Sequence, residues 1–154
     1  LSAALGNIGH AMLNLQAFLP YRLSIASNAV SARIAREYQS RFGLKIPEWR
    51  LMAVLGEGKP LTQRELVAAT LMDKVTVNRA AKALAERALV ARQAHGSDGR
   101  SHHLMLSDAG RALYDEIVPA ALAMEQKLLK SLSADQREQL DAMLATLIAA
   151  ADAR

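Results

Sequence analysis

The sequence predicts a mainly α-helical fold carrying one small β-wing, and three observations predict it. Over most of the 154 residues the apolar positions recur at the i, i+3, i+4, i+7 spacing of a helix. That period changes to short strand-like runs in one place, between Val90 and Leu106, around an Asp-Gly turn. Aromatics are only 4% of residues, and Ala and Leu dominate the apolar set, which favours helices.

Hydrophobic residues make up 51% of the chain, enough to build a core in one domain or a small domain with helical extensions. There is no cysteine, so disulfides, thiolate nucleophiles and Cys-based zinc sites are excluded, and the redox compartment cannot be read. No run of roughly 18 apolar residues occurs, so no transmembrane helix is expected. The chain begins at Leu1 rather than Met, which leaves room for residues upstream, and no stretch resembles a signal peptide. The net charge of +4 is unevenly spread: residues 1–58 carry +3, residues 59–102 carry +4 and residues 103–154 carry −3. A basic middle with an acidic C-terminal third suits a nucleic-acid reader that has a separate part facing elsewhere.

Residues 1–18 form a short helix or a packing arm, with Leu5, Ile8, Met12, Leu13 and Leu15 apolar. Pro20 suits the first turn of the next helix, which runs from Tyr21 to about Phe42 on a stripe of Leu23, Ala26, Val30, Ile34 and Tyr38. Gly43 ends it as a left-handed cap. Ile46-Pro47-Glu48 opens a second helix that is apolar nearly all round (Trp49, Leu51, Met52, Val54, Leu55), so burial on several sides is expected. Gly56 and Gly58 end it, and Lys59-Pro60-Leu61 is short and extended. Thr62 and Glu65 have capping-box spacing and open a short helix to about Thr70 that buries Leu66 and Ala69.

Leu71-Met72 make a turn, and Asp73 caps the next helix. Its Val77, Ala80, Ala81, Leu84 and Ala88 form a buried stripe. Val75, Asn78, Arg79, Lys82 and Glu86 lie opposite, with Thr76 at the border. Short hydrogen-bonding groups near the start and cations behind them are what a helix needs to enter the DNA major groove. Alone, this would be an ordinary solvated amphipathic helix. With its predecessor it is a helix-turn-helix by layout.

Val90–Ala94 and His102–Leu106 read as two strands joined by His95-Gly96-Ser97-Asp98-Gly99-Arg100-Ser101. A helix-turn-helix followed by a hairpin is a winged helix, whose tip, here with Arg100, can place a cation along the backbone or in the minor groove. Ser107 caps a long helix to about Leu132, with Leu113, Ile117, Ala120, Ala121, Met124, Leu128 and Leu129 apolar. Pro119 inside it predicts a bend or a division into two helices, because an interior proline costs about 3 kcal/mol. Ser133 and Gln136 cap the last helix, which carries Leu140, Met143, Leu144, Leu147 and Ile148. These C-terminal helices hold more apolar surface than a lone winged helix covers. They either meet a partner chain, together with the first helix, or fold back on their own domain. The expected division is a helical dimerisation region over 1–45 and 107–154, and a winged helix-turn-helix lobe over 46–106.

The order of these elements resembles the multiple-antibiotic-resistance regulator (MarR) family of bacterial transcription factors. The carriers are Met72–Arg79 leading into Leu84-Ala85-Glu86-Arg87-Ala88-Leu89-Val90, then Ser97-Asp98-Gly99-Arg100, then Leu104–Gly110. Phe18–Ser24 and Ile46–Arg50 are similar to one branch of the family, and the resemblance spans roughly residues 18–150. It implies a cytoplasmic homodimer, probing double-stranded DNA with two lobes at a pseudo-palindrome. By the family pattern Lys74, Val75, Thr76, Asn78, Arg79 and Lys82 would face bases and phosphates, and Thr62 and Gln63 would meet phosphate at a helix start. Arg100 would enter the minor groove, held by Asp98, with Ser101 beside it where a second Arg is frequent. Val75 stands where a small polar residue is common, so contact with a thymine methyl would replace a hydrogen bond. Ala88 stands where Gly is common, and a left-handed backbone there would cost about 1 kcal/mol. The resemblance also implies a small aromatic or phenolic acid as effector, bordered by Arg22, Ser24, Asn28, Trp49 and Arg50, a cation beside an aromatic ring suiting a carboxylate.

No cofactor and no metal are expected. His102 and His103 are adjacent on a strand and point to opposite faces, and His10 and His95 are remote in sequence. No nucleophile elbow or Gly-rich phosphate loop is present, so an enzyme has no constellation behind it. The competing reading is a helical dimeric interaction module without DNA affinity.

Overall fold

The computed structural model describes residues 12–94 and 102–152. The elements are α1 (Leu19–Phe42), α2 (Ile46–Gly56), β1 (Leu61–Thr62), α3 (Gln63–Thr70), α4 (Lys74–Glu86), β2 (Val90–Ala94), β3 (His102–Leu106), α5 (Asp108–Leu129) and α6 (Ala134–Asp152). Of the arm or helix expected over residues 1–18, residues 1–11 lie outside the described residues, as do the wing-tip residues Asp98, Arg100 and Ser101. Residues 12–18 are not helical. They contain one turn before α1 starts at Leu19, two residues earlier than the periodicity suggested, with Pro20 in its first turn.

The core sits around α2, which packs on α3, α4, α5 and β3. Leu51, Met52 and Leu55 are fully buried there, as an all-round apolar helix requires, against Leu44, Leu66, Val77, Leu84 and Ile117. Glu48 is the buried charged exception. Its carboxylate accepts the Lys45 N–H at 2.9 Å, which satisfies an otherwise open donor at the helix start.

The wing is antiparallel and three-stranded in the order β1-β3-β2, with Leu61 opposite Leu104 and Val90 opposite Leu106. The hairpin strands have the expected bounds. The third strand is only two residues long, too short to leave a period in the sequence, and Pro60 before it holds the chain extended.

Two expectations about burial are corrected. In α3, Ala69 is exposed and Thr70 is buried instead, its hydroxyl donating to the Leu66 carbonyl at 2.6 Å. Ala88 is not on the buried stripe of α4. The helix ends at Glu86, and Ala88 is exposed with φ +55°. The Leu89 N–H bonds back to the Leu84 carbonyl at 2.9 Å, a closure that needs a left-handed residue at position 88. In α1, Leu23, Ala26 and Val30 are exposed, while Ile34 and Tyr38, further along the same stripe, pack into the core. α5 is a single helix through Pro119, so of the two outcomes expected there the division does not occur. Pro119 and Asp115, whose carbonyl loses its helical partner, both face solvent, which can hydrate it.

The caps at Ser107 and Ser133 form as expected. Ser107 Oγ accepts the Gly110 N–H at 3.0 Å and donates to the Ala88 carbonyl at 2.6 Å, tying α5 to the end of α4. Gly110 is required here, since a Cβ would stand 1.9 Å from the Leu89 carbonyl oxygen. α6 does not fold back on the lobe: every residue described in it is exposed, including Leu140, Met143, Leu144, Leu147 and Ile148.

Candidate nucleic-acid interface

Two capped helix starts and one strand pair build the candidate surface. At α3, Thr62 Oγ1 accepts the Glu65 N–H at 3.3 Å while the Glu65 carboxylate accepts the Thr62 N–H at 2.7 Å. At α4, Asp73 accepts the Thr76 N–H at 2.8 Å and the Thr76 hydroxyl at 2.6 Å. The side-chain and backbone bonds from Thr76 hold the Asp73 carboxyl below its usual range. The turn between the helices passes through Leu71 at φ +53°, with its side chain 89% exposed.

This turn sets the outer face of α4 toward solvent. Lys74, Val75, Asn78, Arg79, Lys82 and Glu86 are all exposed, and Thr76 is half-buried. Lys74 occupies the first position of the helix, where the helix dipole disfavours a cation. Lys82 lies 3.9 Å from Glu86, an exposed i, i+4 pair that holds it only weakly.

Beside α4 runs a cleft of about 660 Å³ lined by Thr62, Gln63, Arg64, Val67, Lys74, Asn78, Ala81, Arg92, His102 and Leu104. Among the described residues lining it are three permanent cations and no carboxylate. Gln63 Nε2 donates to Asn78 Oδ1 across the gap between α3 and α4. Of the residues singled out from sequence, the cleft brings Thr62, Gln63, Lys74 and Asn78 together. Val75, Thr76, Arg79 and Lys82 lie elsewhere along α4. Arg64, Arg92 and His102 were missed. The place of Arg64 in the first turn of α3 and the alternation along β2 were the available signals.

A second, smaller cavity of about 200 Å³ lies between α1 and α2, lined by Ser31, Ile34, Tyr38, Ile46, Trp49, Arg50 and Ala53. Trp49 sits between Tyr38 (ring centroids 5.6 Å apart) and Tyr114 (5.9 Å), so one aromatic stack joins α1, α2 and α5. Burial pushes the Tyr38 phenol above its usual range, partly offset by the positive charge of Arg50. Of the expected ligand residues, Trp49 and Arg50 line this cavity. Arg22, Ser24 and Asn28 are on the exposed N-terminal half of α1, away from it.

Among the described residues no helix is long and apolar enough to cross a membrane. Residues 42–101 match the model of the MarR family. The chain is 30% identical over 107 residues to the HTH-type transcriptional regulator YwoH of Bacillus subtilis, covering 70% of this chain and 77% of that one. It is 29% identical to the HTH-type transcriptional repressor Rv2887 of Mycobacterium tuberculosis, over 84% of this chain and 91% of that one. The crystal structure of the MarR-family regulator SPO1453 from Silicibacter pomeroyi superposes with a TM-score of 0.79 at 28% identity, covering 92% and 100% of the two chains. In fold alone, at 22% identity and a TM-score of 0.69 over 82% and 98% of the chains, it is also similar to Bordetella bronchiseptica BpsR, described as regulated in DNA binding by 6-hydroxynicotinic acid. These relatives are transcriptional regulators, not enzymes, and the chain belongs to the MarR family of DNA-binding winged-helix transcriptional regulators.

Proposed function

We propose that the protein is a homodimeric, ligand-responsive repressor that reads a pseudo-palindromic operator in double-stranded DNA. The observation that carries this is the exposed polar and cationic face of α4 beside a cleft whose described lining holds Arg64, Lys74 and Arg92 and no carboxylate. In this reading α4 enters the major groove. Val75, Thr76, Asn78 and Arg79 meet base edges, and Lys74 and Lys82 meet phosphates. Thr62 and Gln63, at the start of α3, meet phosphate through the helix N-terminus. From the family pattern, Arg100 would meet the minor groove, with Asp98 and Ser101 beside it in sequence.

The second copy is supported by the exposed apolar residues of α1 and α6. A monomer seldom leaves so much apolar surface in water, and Ile148 alone is 63% exposed. Pairing through these helices would set two α4 helices about one helical turn apart on one DNA face. The effector in this reading is a single-ring aromatic acid in the cavity at Tyr38, Trp49 and Arg50. A cavity near 150 Å³ already holds benzene, so about 200 Å³ suits one ring with its carboxylate on Arg50. Arg22, Ser24 and Asn28 would contribute only from the α1 of the partner.

Selection of duplexes from random sequence, followed by sedimentation of the complex, tests the reading. A palindromic site bound by two chains is expected. A dimer that recovers no duplex would support an interaction module instead.

A further inference from the structure

Arg87 lies just beyond α4, and its guanidinium does not point at the candidate DNA surface. Nη2 donates to the Phe42 carbonyl at 2.9 Å and Nη1 to the Gly43 carbonyl at 3.3 Å. These are the last carbonyl of α1 and that of its cap, where the helix dipole favours a cation and the flat fork of arginine spans two acceptors. Gly43, at φ +65°, turns the chain so that both oxygens face the same way. Otherwise α1 packs chiefly on α5 and also on α2, while α4 packs on α2, α3 and β2. Arg87 therefore adds a direct polar link between the end of the scaffold helix and the end of the reading helix, 44 and 45 residues apart in sequence. It is exposed, so it is not a core residue on which folding depends. It sits about 20 Å along the helix axis from Lys74, far from the end that meets the cleft.

We infer that Arg87 is a positioning residue. By clasping the end of α1 it fixes the angle of α4 to the dimer scaffold, and so fixes which half-site spacing the dimer accepts. The inference rests on the proposed reading of α1 as dimer scaffold and α4 as DNA reader. One added base pair between half-sites turns one of them by about 34–36°, so a rigid head discriminates strongly between spacings and a loosened one does not.

The test uses the full chain and the palindromic duplex that the wild type selects, with variants carrying one base pair more or less between half-sites. Arg87→Ala is expected to bind the best-spaced duplex several-fold more weakly, to lose much of the wild-type penalty for altered spacing, and to keep the wild-type salt slope. Arg87→Lys, which keeps a donor for the same carbonyls, is expected to restore part of the spacing discrimination. A salt slope reduced by about two, roughly one for each protomer, would make Arg87 a phosphate contact and overturn the inference. Equal weakening at every spacing would make it merely structural, and unchanged binding would also overturn it. If the wild type selects no duplex, the reading of function fails. If it selects one and Arg87→Ala keeps its spacing preference, only the clasp fails.

Discussion

Gln63 and Asn78, fifteen residues apart, are joined by a side-chain hydrogen bond in which the Gln63 amide donates to Asn78 Oδ1. The bond takes up one of the two lone pairs of Asn78 Oδ1 and ties the amide to α3. Asparagine reads adenine with both, giving one hydrogen bond and taking one. On the proposed reading, an Asn78 held this way would present its amide donors more readily than its acceptor, which would suit guanine N7 and O6 better than adenine.

The first prediction follows. Asn78→Ala should relax specificity at one position of the selected half-site, with a loss of about 1–3 kcal/mol for the preferred base. Gln63→Ala should free Oδ1 and move the preference at that position from guanine toward adenine. Selection with each variant checks this. An unchanged preference in Gln63→Ala would show that the bond does not set the reading.

Two residues hold left-handed backbone without being glycine, Leu71 at φ +53° and Ala88 at φ +55°. For an L-residue this conformation costs roughly 1–2 kcal/mol, less the entropy glycine itself loses on folding. Both side chains are exposed, so replacement removes no core packing. Leu71→Gly and Ala88→Gly should each raise the stability measured by urea unfolding, by up to about 1 kcal/mol. A decrease would mean that these side chains make contacts that matter more than the strain.

The Asp73 cap gives a pH prediction. Its folded pKa is lowered by bonds from Thr76, so its contribution is present above the ordinary carboxylate range near 4 and is lost as pH falls through the folded value. Asp73→Asn keeps a cap acceptor without a titrating group. The stability advantage of the wild type over this variant should be fully present at pH 7 and shrink as pH drops below about 4. An advantage that grows on acidification would reverse the sign and contradict the assignment.

Trp49 is the single tryptophan, so it reports on the small cavity directly. Titration with a single-ring aromatic carboxylate should change its fluorescence, and Arg50→Ala should weaken that binding by about 1.5–3 kcal/mol, the range for a hydrogen bond to a charged group. An affinity unaltered by Arg50→Ala would remove the carboxylate from the proposed pose.

What the sequence made legible was local. Thr62, Asp73, Ser107 and Ser133 announce their helices because a cap and its partner lie three residues apart. The change of period at β2 and β3, around an Asp-Gly pair, is likewise a local signal. Leu71 gave no sign of its left-handed backbone, since glycine, the residue that signals it, is absent. The exposure of Leu23, Ala26 and Val30 was hidden because periodicity shows an apolar face but not whether the same chain covers it. The bond from Arg87 to Phe42 and Gly43 joins distant segments, and no spacing rule reaches that far. At the candidate surface, the outer residues of α4 were legible from the helical period. Arg64, Arg92 and His102 join them only through the tertiary meeting of α3 with the wing.

The central claim is that α4 and the cleft beside it neutralise DNA phosphates. It is tested most directly by the affinity of the wild type for its selected duplex as a function of salt. The account predicts that log K falls linearly with log salt concentration, with a loss of roughly 10³–10⁵ between 50 and 200 mM if the dimer makes six to ten phosphate contacts, and that Lys74→Ala makes the slope shallower. An affinity independent of salt would contradict it.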